Sequence, residues 1–112
     1  MNLLPRAAEA VISLRKLHDY VLNPEHQTGK HKARVFAAVL GMTQEDSQWL
    51  KSEISKGILS HKAQRAEPTP FGERYTVEFP LSKNGNTALL RTAWMIRNEE
   101  EVPRLTSCYL LT

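Results

Sequence analysis

Residues 74–97 read RYTVEFPLSKNGNTALLRTAWMIR, and this stretch decides the predicted fold. Polar and apolar residues alternate over residues 74–79, which is typical of a strand with one buried face. The dipeptide Asn84-Gly85 favours a tight hairpin turn because both residues readily adopt positive φ angles. Residues 87–97 then form the returning strand. Pro80 is expected to limit strand pairing or to lie near a sheet edge, because it has no N–H to donate.

The segments that flank this hairpin complete the predicted sheet. Residues 105–111 (LTSCYLL) form a third strand, after an acidic connection over residues 99–103. Residues 62–72 carry two prolines and a glycine and therefore predict a loop. Residues 8–13 are short and apolar, which leaves open an opening strand or the first turns of a helix. That choice decides whether the sheet has three strands or four.

The N-terminal half has helical rather than alternating periodicity. Residues 15–22, 29–40 and 44–61 place apolar side chains at helical spacing. The expected core positions are Leu14, Leu17 and Val21 in the first segment, Ala33, Phe36, Ala37 and Leu40 in the second, and Trp49, Leu50, Ile54 and Ile58 or Leu59 in the third.

Residues that start or stop helices bound these segments. Asn23-Pro24 ends the first helix, because the residue before a proline is disfavoured in the α region. Thr28 is the predicted N-cap of the second helix, and Gly41 stops it. Thr43 with Asp46 predicts a capping box for the third. Helices followed by an antiparallel meander predict the α+β class, with N-terminal helices packed on one face of a small three- or four-stranded antiparallel sheet.

The length, composition and net charge of the chain limit the classes of protein to which it can belong. A chain of 112 residues fits a single domain over residues 1–112, with a helical part at about 14–61 and a sheet at about 73–111. The single cysteine, Cys108, excludes an intramolecular disulfide and a multi-cysteine zinc site, and it fits a reducing cytoplasm. No apolar run approaches the ~20 residues of a membrane span, and the N-terminus lacks the order of a secretory signal. A net charge of +3 agrees with a polyanionic partner such as RNA.

The segment from residue 23 to residue 36, NPEHQTGKHKARVF, concentrates titratable and cationic groups at a predicted helix start. Free backbone N–H groups and nearby lysines favour bound anions there, and a histidine can transfer protons near neutral pH. The alternative is a solvated basic helix start in which His26 caps a turn. The groups in question are His26, Lys30, His31, Lys32 and Arg34.

Two further groups of polar residues lie on the predicted strands. In the segment PRLTSCY, Arg104 precedes Thr106, Ser107 and Tyr109. Strict alternation would place Leu105 and Ser107 with Tyr109, and Thr106 with Cys108 on the other face; either face could be the buried one. The other group centres on Arg91, which lies mid-strand and either faces solvent or points into a site. The preceding strand could add Arg74 and Tyr75.

Several classes of site find no support in the sequence. The four histidines, His18, His26, His31 and His61, lack the spacing of metal ligands, and no metal or cofactor is expected. Ser107 has no recognisable triad partners, and the G-x-S-x-G motif is missing. The glycine patterns of nucleotide-binding loops are missing as well.

The order of the motifs KLHDYVLNPEH, GKHKARVF, GERY, RTAWMI and PRLTSCY resembles a bacterial family of small proteins classed as a domain of unknown function. That family in turn resembles the barnase, EndoU, colicin-D and RelE group of RNases, in which N-terminal helices pack on a four-stranded antiparallel sheet. The resemblance implies a cytoplasmic, metal-independent endoribonuclease that acts as a toxin. It also implies RNA and an acidic antitoxin as partners, and no membrane.

The same resemblance assigns roles to the residues singled out above. It implies His26 or His31 as acid or base, Lys30 or Lys32 with Arg91 on the phosphate, and contacts from Thr106, Ser107 and Tyr109. Arg34, Arg74 and Arg104 would bind substrate. Because no histidine follows His61, the second proton carrier would be a lysine, Tyr109 or the substrate itself. The alternative is a non-catalytic module that docks RNA or an acidic protein on the basic helix start.

Overall fold

Four antiparallel strands pair in the order in which they occur along the chain. The computed structural model describes residues 2–111. Its strands are β1 (Ala63–Thr69), β2 (Gly72–Lys83), β3 (Asn86–Arg97) and β4 (Arg104–Leu111). Three helical segments precede them and pack on one face of the sheet. The predicted α+β class is therefore confirmed.

The three predicted helices are present, each shorter than or shifted slightly from its expected bounds. The first, α1, is α-helical over Leu14–Lys16 and continues as a π-helical turn over Leu17–Val21. The second, α2, spans Lys30–Leu40. The third, α3, spans Ser47–Gly57 after a 3₁₀ turn at Gln44–Asp46. A further 3₁₀ turn covers Ala7–Glu9.

The helix ends follow the sequence signals with one exception. Gly41 ends α2 with φ +66°, which confirms its predicted role. The capping box is also confirmed, since the Thr43 N–H donates to Asp46 Oδ2 at 2.8 Å and the Glu45 N–H to Thr43 Oγ1 at 3.3 Å. The prediction that Thr28 caps α2 is wrong, because Gly29 is the N-cap and the Thr28 side chain makes no capping bond.

The core lies between the helices and the sheet. Most predicted core residues are buried, but Leu14, Ala37 and Leu59 are exposed. Leu59 follows the end of α3, so helical spacing no longer predicts its direction. Trp49 is half-buried at the margin, with Lys83 Nζ 4.6 Å from the centre of its ring. The buried residues of the helical half include Leu17, Val21, Ala33, Phe36, Leu40, Leu50, Ile54 and Ile58.

A buried polar chain crosses the central strands within this core. The Trp94 indole N–H donates to Thr92 Oγ1 at 2.8 Å, and the Thr92 hydroxyl donates to the Val77 carbonyl at 2.8 Å. Each buried polar group therefore has a partner, as a stable interior requires. Cys108, on β4, is buried beside them, and its burial raises the pKa of the thiol to about 12.

The prediction of a loop over residues 62–72 is wrong, because β1 lies inside it. The sheet accordingly begins at residue 63 rather than 73. An edge strand pairs on one side only, so it tolerates prolines better than a central strand does. Here Pro68 falls where the register with β2 shifts, between Ala66 and Thr69.

Residues 8–13, left open between strand and helix, form neither an extended strand nor a continuous helix. After the 3₁₀ turn, only Val11 makes a β-bridge, beside the start of β4. Its N–H donates to the Pro103 carbonyl at 2.9 Å, and its carbonyl accepts from the Leu105 N–H at 3.0 Å. The fourth strand of the sheet is β1 instead.

The central hairpin forms as predicted. Asn84 and Gly85 have φ angles of +54° and +79°, the signs that a two-residue type I′ turn requires. The Asn84 side chain also donates to the Leu40 carbonyl at 2.7 Å, which ties the turn to the end of α2. Pro80 lies beyond the end of β1, where β2 pairs with β3 only, which agrees with the expected edge position.

A β-bulge at Thr106 corrects the predicted faces of β4. Ala93 pairs with Ser107 while Trp94 pairs with Leu105, so Thr106 is one extra residue in the strand. An inserted residue reverses the alternation on its two sides. Leu105 therefore shares the buried face with Cys108 rather than a face with Ser107. Ser107 and Tyr109 do share a face, as predicted.

No helix within residues 2–111 is long and apolar enough to cross a membrane.

Candidate functional site

The face of the sheet that points away from the helices carries a row of polar side chains; we call it the open face. In its central row the register places Arg91 of β3 between Glu78 of β2 and Tyr109 of β4. Their neighbours Val77, Thr92 and Cys108 are buried on the opposite side. Strand alternation therefore directs Glu78, Arg91 and Tyr109 together to the open face.

Arg91 connects the other two residues of this row. Its Nε donates to Glu78 Oε2 at 2.6 Å, and its Nη1 donates to the Tyr109 hydroxyl at 3.3 Å. These hydrogen bonds, first that to Tyr109 and then that to Glu78, raise the pKa of Arg91 above its usual value. Arg91 is therefore a permanent cation whose guanidinium plane is fixed by two partners.

A second cation joins the row from the helical layer. Helix α2 packs against β3 and β4, and Lys32 extends past the β4 edge to the open face. Its Nζ lies 4.2 Å from the centre of the Tyr109 ring, within the range of a cation–π contact. We call Lys32, Glu78, Arg91 and Tyr109 the sheet-face cluster.

The sheet-face cluster combines groups that can act on a phosphodiester. Tyr109 accepts its hydrogen bond from Arg91, so its own hydroxyl proton is free to be donated elsewhere. Glu78 accepts the Arg91 hydrogen bond on Oε2, which leaves Oε1 for another partner. A carboxylate, a phenol and two cations thus lie side by side on a surface that no helix covers.

A small cleft extends from Glu78 towards the start of β1. Its volume is about 330 Å³, and its lining comprises His61, Lys62, Gln64, Thr76 and Glu78. His61 Nδ1 lies 2.8 Å from the Gly57 carbonyl, so the proton on this nitrogen is directed there and Nε2 remains free. Both His61 and Glu78 were missing from the sequence-predicted site. The available signal for Glu78 was its alternation with Val77 and its register opposite Arg91.

His26 does not reach the open face, because it stabilises the start of α2. Its Nδ1 accepts hydrogen bonds from the backbone N–H groups of Thr28 and Gly29, both at 3.1 Å. The edge of its ring packs on Tyr20, with ring centres 4.6 Å apart. The interpretation in which His26 caps a turn is thereby confirmed, and Nδ1 is not available to transfer a proton.

The remaining cationic residues around α2 diverge in direction. His31 is exposed on the outer side of the helix, and Lys30 is half-buried on the flank opposite Lys32. Arg34 donates to the Pro24 carbonyl at 3.3 Å. Of the histidines and cationic residues in segment 23–36, only Lys32 therefore belongs to the sheet-face cluster.

The other sequence-predicted residues lie at different distances from the cluster. Ser107 is on the open face, one row from Tyr109, opposite Ala93. Thr106, in the bulge, donates to the Ala93 carbonyl at 3.1 Å. Arg104 makes two hydrogen bonds of 2.9 Å to Glu100. None of these three contacts Arg91 directly.

The two residues of β2 that were expected to join Arg91 lie on opposite faces of the sheet. Arg74 is exposed on the open face, opposite Met95 and two rows from Arg91. Tyr75 belongs to the other face, where it packs on the core and donates to Glu73 Oε2 at 3.1 Å. The expectation that Tyr75 joins Arg91 is wrong, because adjacent strand residues point to opposite faces.

The positions of the histidine, cysteine and carboxylate side chains bear on metal binding. Across residues 2–111, no group of three or more His, Cys, Asp or Glu side chains is arranged to hold a metal ion.

Comparison with known proteins gives one match. The family model described as Domain of unknown function (DUF6883) matches residues 3–112. No curated protein and no solved structure shows a significant match.

Proposed function

We propose that this chain, which belongs to the DUF6883 family of domains of unknown function, is an endoribonuclease that cleaves RNA on the open face of its sheet without a metal ion. The observation that carries the proposal is the sheet-face cluster. A carboxylate and a phenol lie on either side of a fixed arginine, with distances of 2.6 and 3.3 Å from it. Phosphodiester cleavage needs these three kinds of group: a base, an acid and a cation.

In the proposed mechanism, Glu78 removes the proton from a ribose 2′-hydroxyl. The 2′-oxygen then attacks the adjacent phosphorus, and the bond from phosphorus to the 5′-oxygen breaks. Tyr109 donates its hydroxyl proton to that leaving oxygen, which gives a 2′,3′-cyclic phosphate and a 5′-hydroxyl end. Arg91 and Lys32 stabilise the negative charge of the phosphorane, because preorganised cations act most strongly where charge develops.

This assignment moves the acid and base away from the histidines that the sequence favoured. Tyr109, Arg91 and Lys32 keep the roles that the resemblance implies, whereas Glu78 replaces His26 as the base. His31 has no partner in the cluster and is given no role. Ser107 and Arg74 lie one and two rows from Arg91 in the same direction along the open face, where they can contact the RNA backbone beyond the cut.

We further propose that the RNase is a bacterial toxin inhibited by an acidic antitoxin. The supporting observation is the layout of the fold: N-terminal helices cover one face of a four-stranded antiparallel sheet and leave the other free. The barnase, EndoU, colicin-D and RelE group has this layout, so the support is by analogy of fold. Expression of the chain should arrest growth, and co-expression of the cognate antitoxin should restore it.

The direct test is incubation of the purified chain with RNA in the presence and absence of EDTA. We expect cleavage in both buffers, with cyclic phosphate ends. Arg91→Ala should reduce the cleavage rate by about 10²–10³-fold, since it removes a fixed donor to the transition state. Arg15→Ala is the matched control, because Arg15 is an exposed arginine on the helical side. Intact RNA at high enzyme excess would contradict the proposal.

A non-catalytic binding module is the second candidate, and one observation favours it. The 2.6 Å contact between Arg91 and Glu78 already pairs both charges, as in an ordinary structural ion pair. A module of this kind would lose affinity gradually as single lysines and arginines are removed. The logarithm of its binding constant would fall linearly with the logarithm of the salt concentration. An RNase would lose its cleavage rate at single positions while RNA binding is largely retained.

His26 provides a prediction that separates stability from activity. His26→Ala should lower the free energy of unfolding by about 0.5–2 kcal/mol, a cost comparable to that of losing a side chain that accepts backbone N–H groups at a helix start, without changing the RNA cleavage rate per folded molecule. Urea denaturation and a cleavage assay measure the two effects. His31→Ala is the control and should change neither quantity. A loss of cleavage in His26→Ala protein that remains folded would restore His26 as the catalytic group.

A further inference from the structure

Phe71, in the turn between β1 and β2, exposes an unusually large part of its ring. Its exposed fraction is 72%, compared with 50% for Leu59, the next in order among the exposed large apolar residues. Isolated apolar residues at the surface are common and need no explanation by themselves. The surroundings of Phe71 are what distinguish it.

The backbone that carries Phe71 is fixed on both sides. The Phe71 N–H donates to Thr69 Oγ1 at 3.2 Å, and the Phe71 carbonyl accepts from the Asn98 N–H at 3.0 Å. The Asn98 side chain also donates to the Pro70 carbonyl at 2.6 Å. A group whose backbone is already ordered loses less conformational entropy when it binds a ligand. The exposed ring is thus preorganised for contact.

Phe71 forms one wall of a cleft at the end of the sheet. The cleft has a volume of about 610 Å³, and its lining includes Met95, Arg97 and Asn98 beside Phe71. An aromatic ring, a thioether and a guanidinium are all groups that stack on a flat aromatic ligand. The lining therefore fits a planar heterocycle.

The cleft is lined by two carboxylates, Glu99 and Glu100, and by one guanidinium, Arg97, whose Nε lies 3.9 Å from Glu100 Oε1. Glu100 is paired with Arg104, and this hydrogen bonding is the first cause that lowers the pKa of the Glu100 carboxyl. Glu99 is exposed and has no ion-pair partner within residues 2–111. An unpaired carboxylate repels a phosphate but accepts hydrogen bonds from the N–H groups of a nucleobase.

The cleft lies on the same surface as the sheet-face cluster. Met95 and Arg91 belong to the same face of β3, four positions apart, which is about 13 Å at about 3.3 Å per residue. Arg74, which pairs with Met95 in the register, is an exposed cation in the same row as Met95, at the cleft end of this path. A single strand of RNA held at Arg91 can therefore reach the cleft without leaving the open face.

We infer that the cleft beside Phe71 is a subsite for an unpaired nucleobase of single-stranded RNA, stacked on the Phe71 ring and flanking the phosphate held at Arg91. The inference rests on the proposed function for its choice of RNA as ligand. It adds a specificity to that function, because a base in this cleft must be unpaired. Single-stranded RNA is then the substrate class, and duplex RNA is excluded.

The test uses a fluorescently labelled single-stranded 2′-O-methyl oligonucleotide, which cannot be cleaved because it has no free 2′-hydroxyl. Fluorescence anisotropy gives the Kd for the wild-type chain and three variants. Phe71→Ala should raise the Kd by about 5- to 150-fold, the range for loss of one base–aromatic stack. Phe71→Trp should keep the affinity within about threefold, because it retains an aromatic face. Leu59→Ala, on the helical side, is the matched control and should have no effect.

The outcomes separate this inference from the proposed function. Binding that depends on Phe71, in a chain that leaves unmodified RNA intact, would support the subsite and overturn the nuclease. Cleavage by a chain whose Kd is the same in wild-type and Phe71→Ala protein would overturn the subsite alone. The subsite would likewise be rejected if the oligonucleotide did not bind, or if a duplex of the same sequence bound as tightly as the single strand.

Discussion

Glu78→Gln should reduce the rate of RNA cleavage by about 10²–10⁴-fold, the range for removal of a general base. The substitution keeps the size of the side chain, and an amide oxygen can still accept the hydrogen bond that Arg91 Nε makes at 2.6 Å. What the amide cannot do is take up the proton of the attacking 2′-hydroxyl. Single-turnover cleavage of a labelled oligoribonucleotide measures the rate of this step.

Glu67→Gln is the matched control for that experiment. Glu67 is an exposed glutamate on β1, so its substitution changes the net charge by the same amount without touching the cluster. Far-UV circular dichroism establishes that both variants are folded. A Glu78→Gln chain that cleaved RNA at the wild-type rate would remove Glu78 from the mechanism and would favour the binding module.

Trp94→Ala should lower the free energy of unfolding by about 3–5 kcal/mol, the usual cost of replacing a buried tryptophan with alanine. Trp94 is 1% exposed and is among the largest fully buried side chains. Its removal would leave a cavity between the sheet and the helices. It would also delete the indole N–H that Thr92 Oγ1 accepts at 2.8 Å. Because domains of this size are stable by about 5–15 kcal/mol, the loss would shift the urea midpoint substantially.

The other tryptophan, Trp49, supplies the comparison for this prediction. It is half-buried and contacts Lys83 at its margin, so Trp49→Ala removes less buried area and should cost less. Urea denaturation followed by far-UV circular dichroism avoids dependence on the tryptophan signal itself. If the two variants lost the same free energy of unfolding, the degree of burial of each tryptophan would not explain its contribution to stability.

Elements with strong periodicity or turn chemistry were predictable from the sequence. The Asn84-Gly85 hairpin, the Thr43 capping box and the helical stop at Gly41 each depend on residues that are close in sequence. The switch from helical spacing to alternation was equally local, and it gave the α+β class. These features need no knowledge of which strands are neighbours.

Features that depend on tertiary pairing could not be predicted in the same way. β1 was hidden by Pro68 within it and Pro70 just after it, and a proline is tolerated in this strand because it lies at an edge. The bulge at Thr106 changes which residues of β4 are buried. The sequence LTSCY contains no signal that distinguishes a bulged strand from a regular one. A one-residue shift is sufficient to exchange the two faces.

The candidate site likewise combines residues that the sequence identifies with contacts that only the structure shows. Arg91, Tyr109 and Lys32 were identified from the sequence, and both cations contact Tyr109. Glu78 was missed, although the two-residue turn at Asn84-Gly85 sets its register opposite Arg91. The proximity of His26 to lysines along the chain could not reveal that its Nδ1 accepts two backbone N–H groups. Residue types alone therefore did not show which of these side chains lie close together in the fold.

The burial of Cys108 makes the native chain suitable for site-specific labelling. Thiol-reactive dyes attack the thiolate, and a buried thiol with a pKa of about 12 provides almost none at neutral pH. The wild-type sequence can therefore keep Cys108 while a single new cysteine is introduced at an exposed position such as Glu67 or Leu59. A maleimide dye attached there would leave undisturbed the core that Cys108 helps to fill.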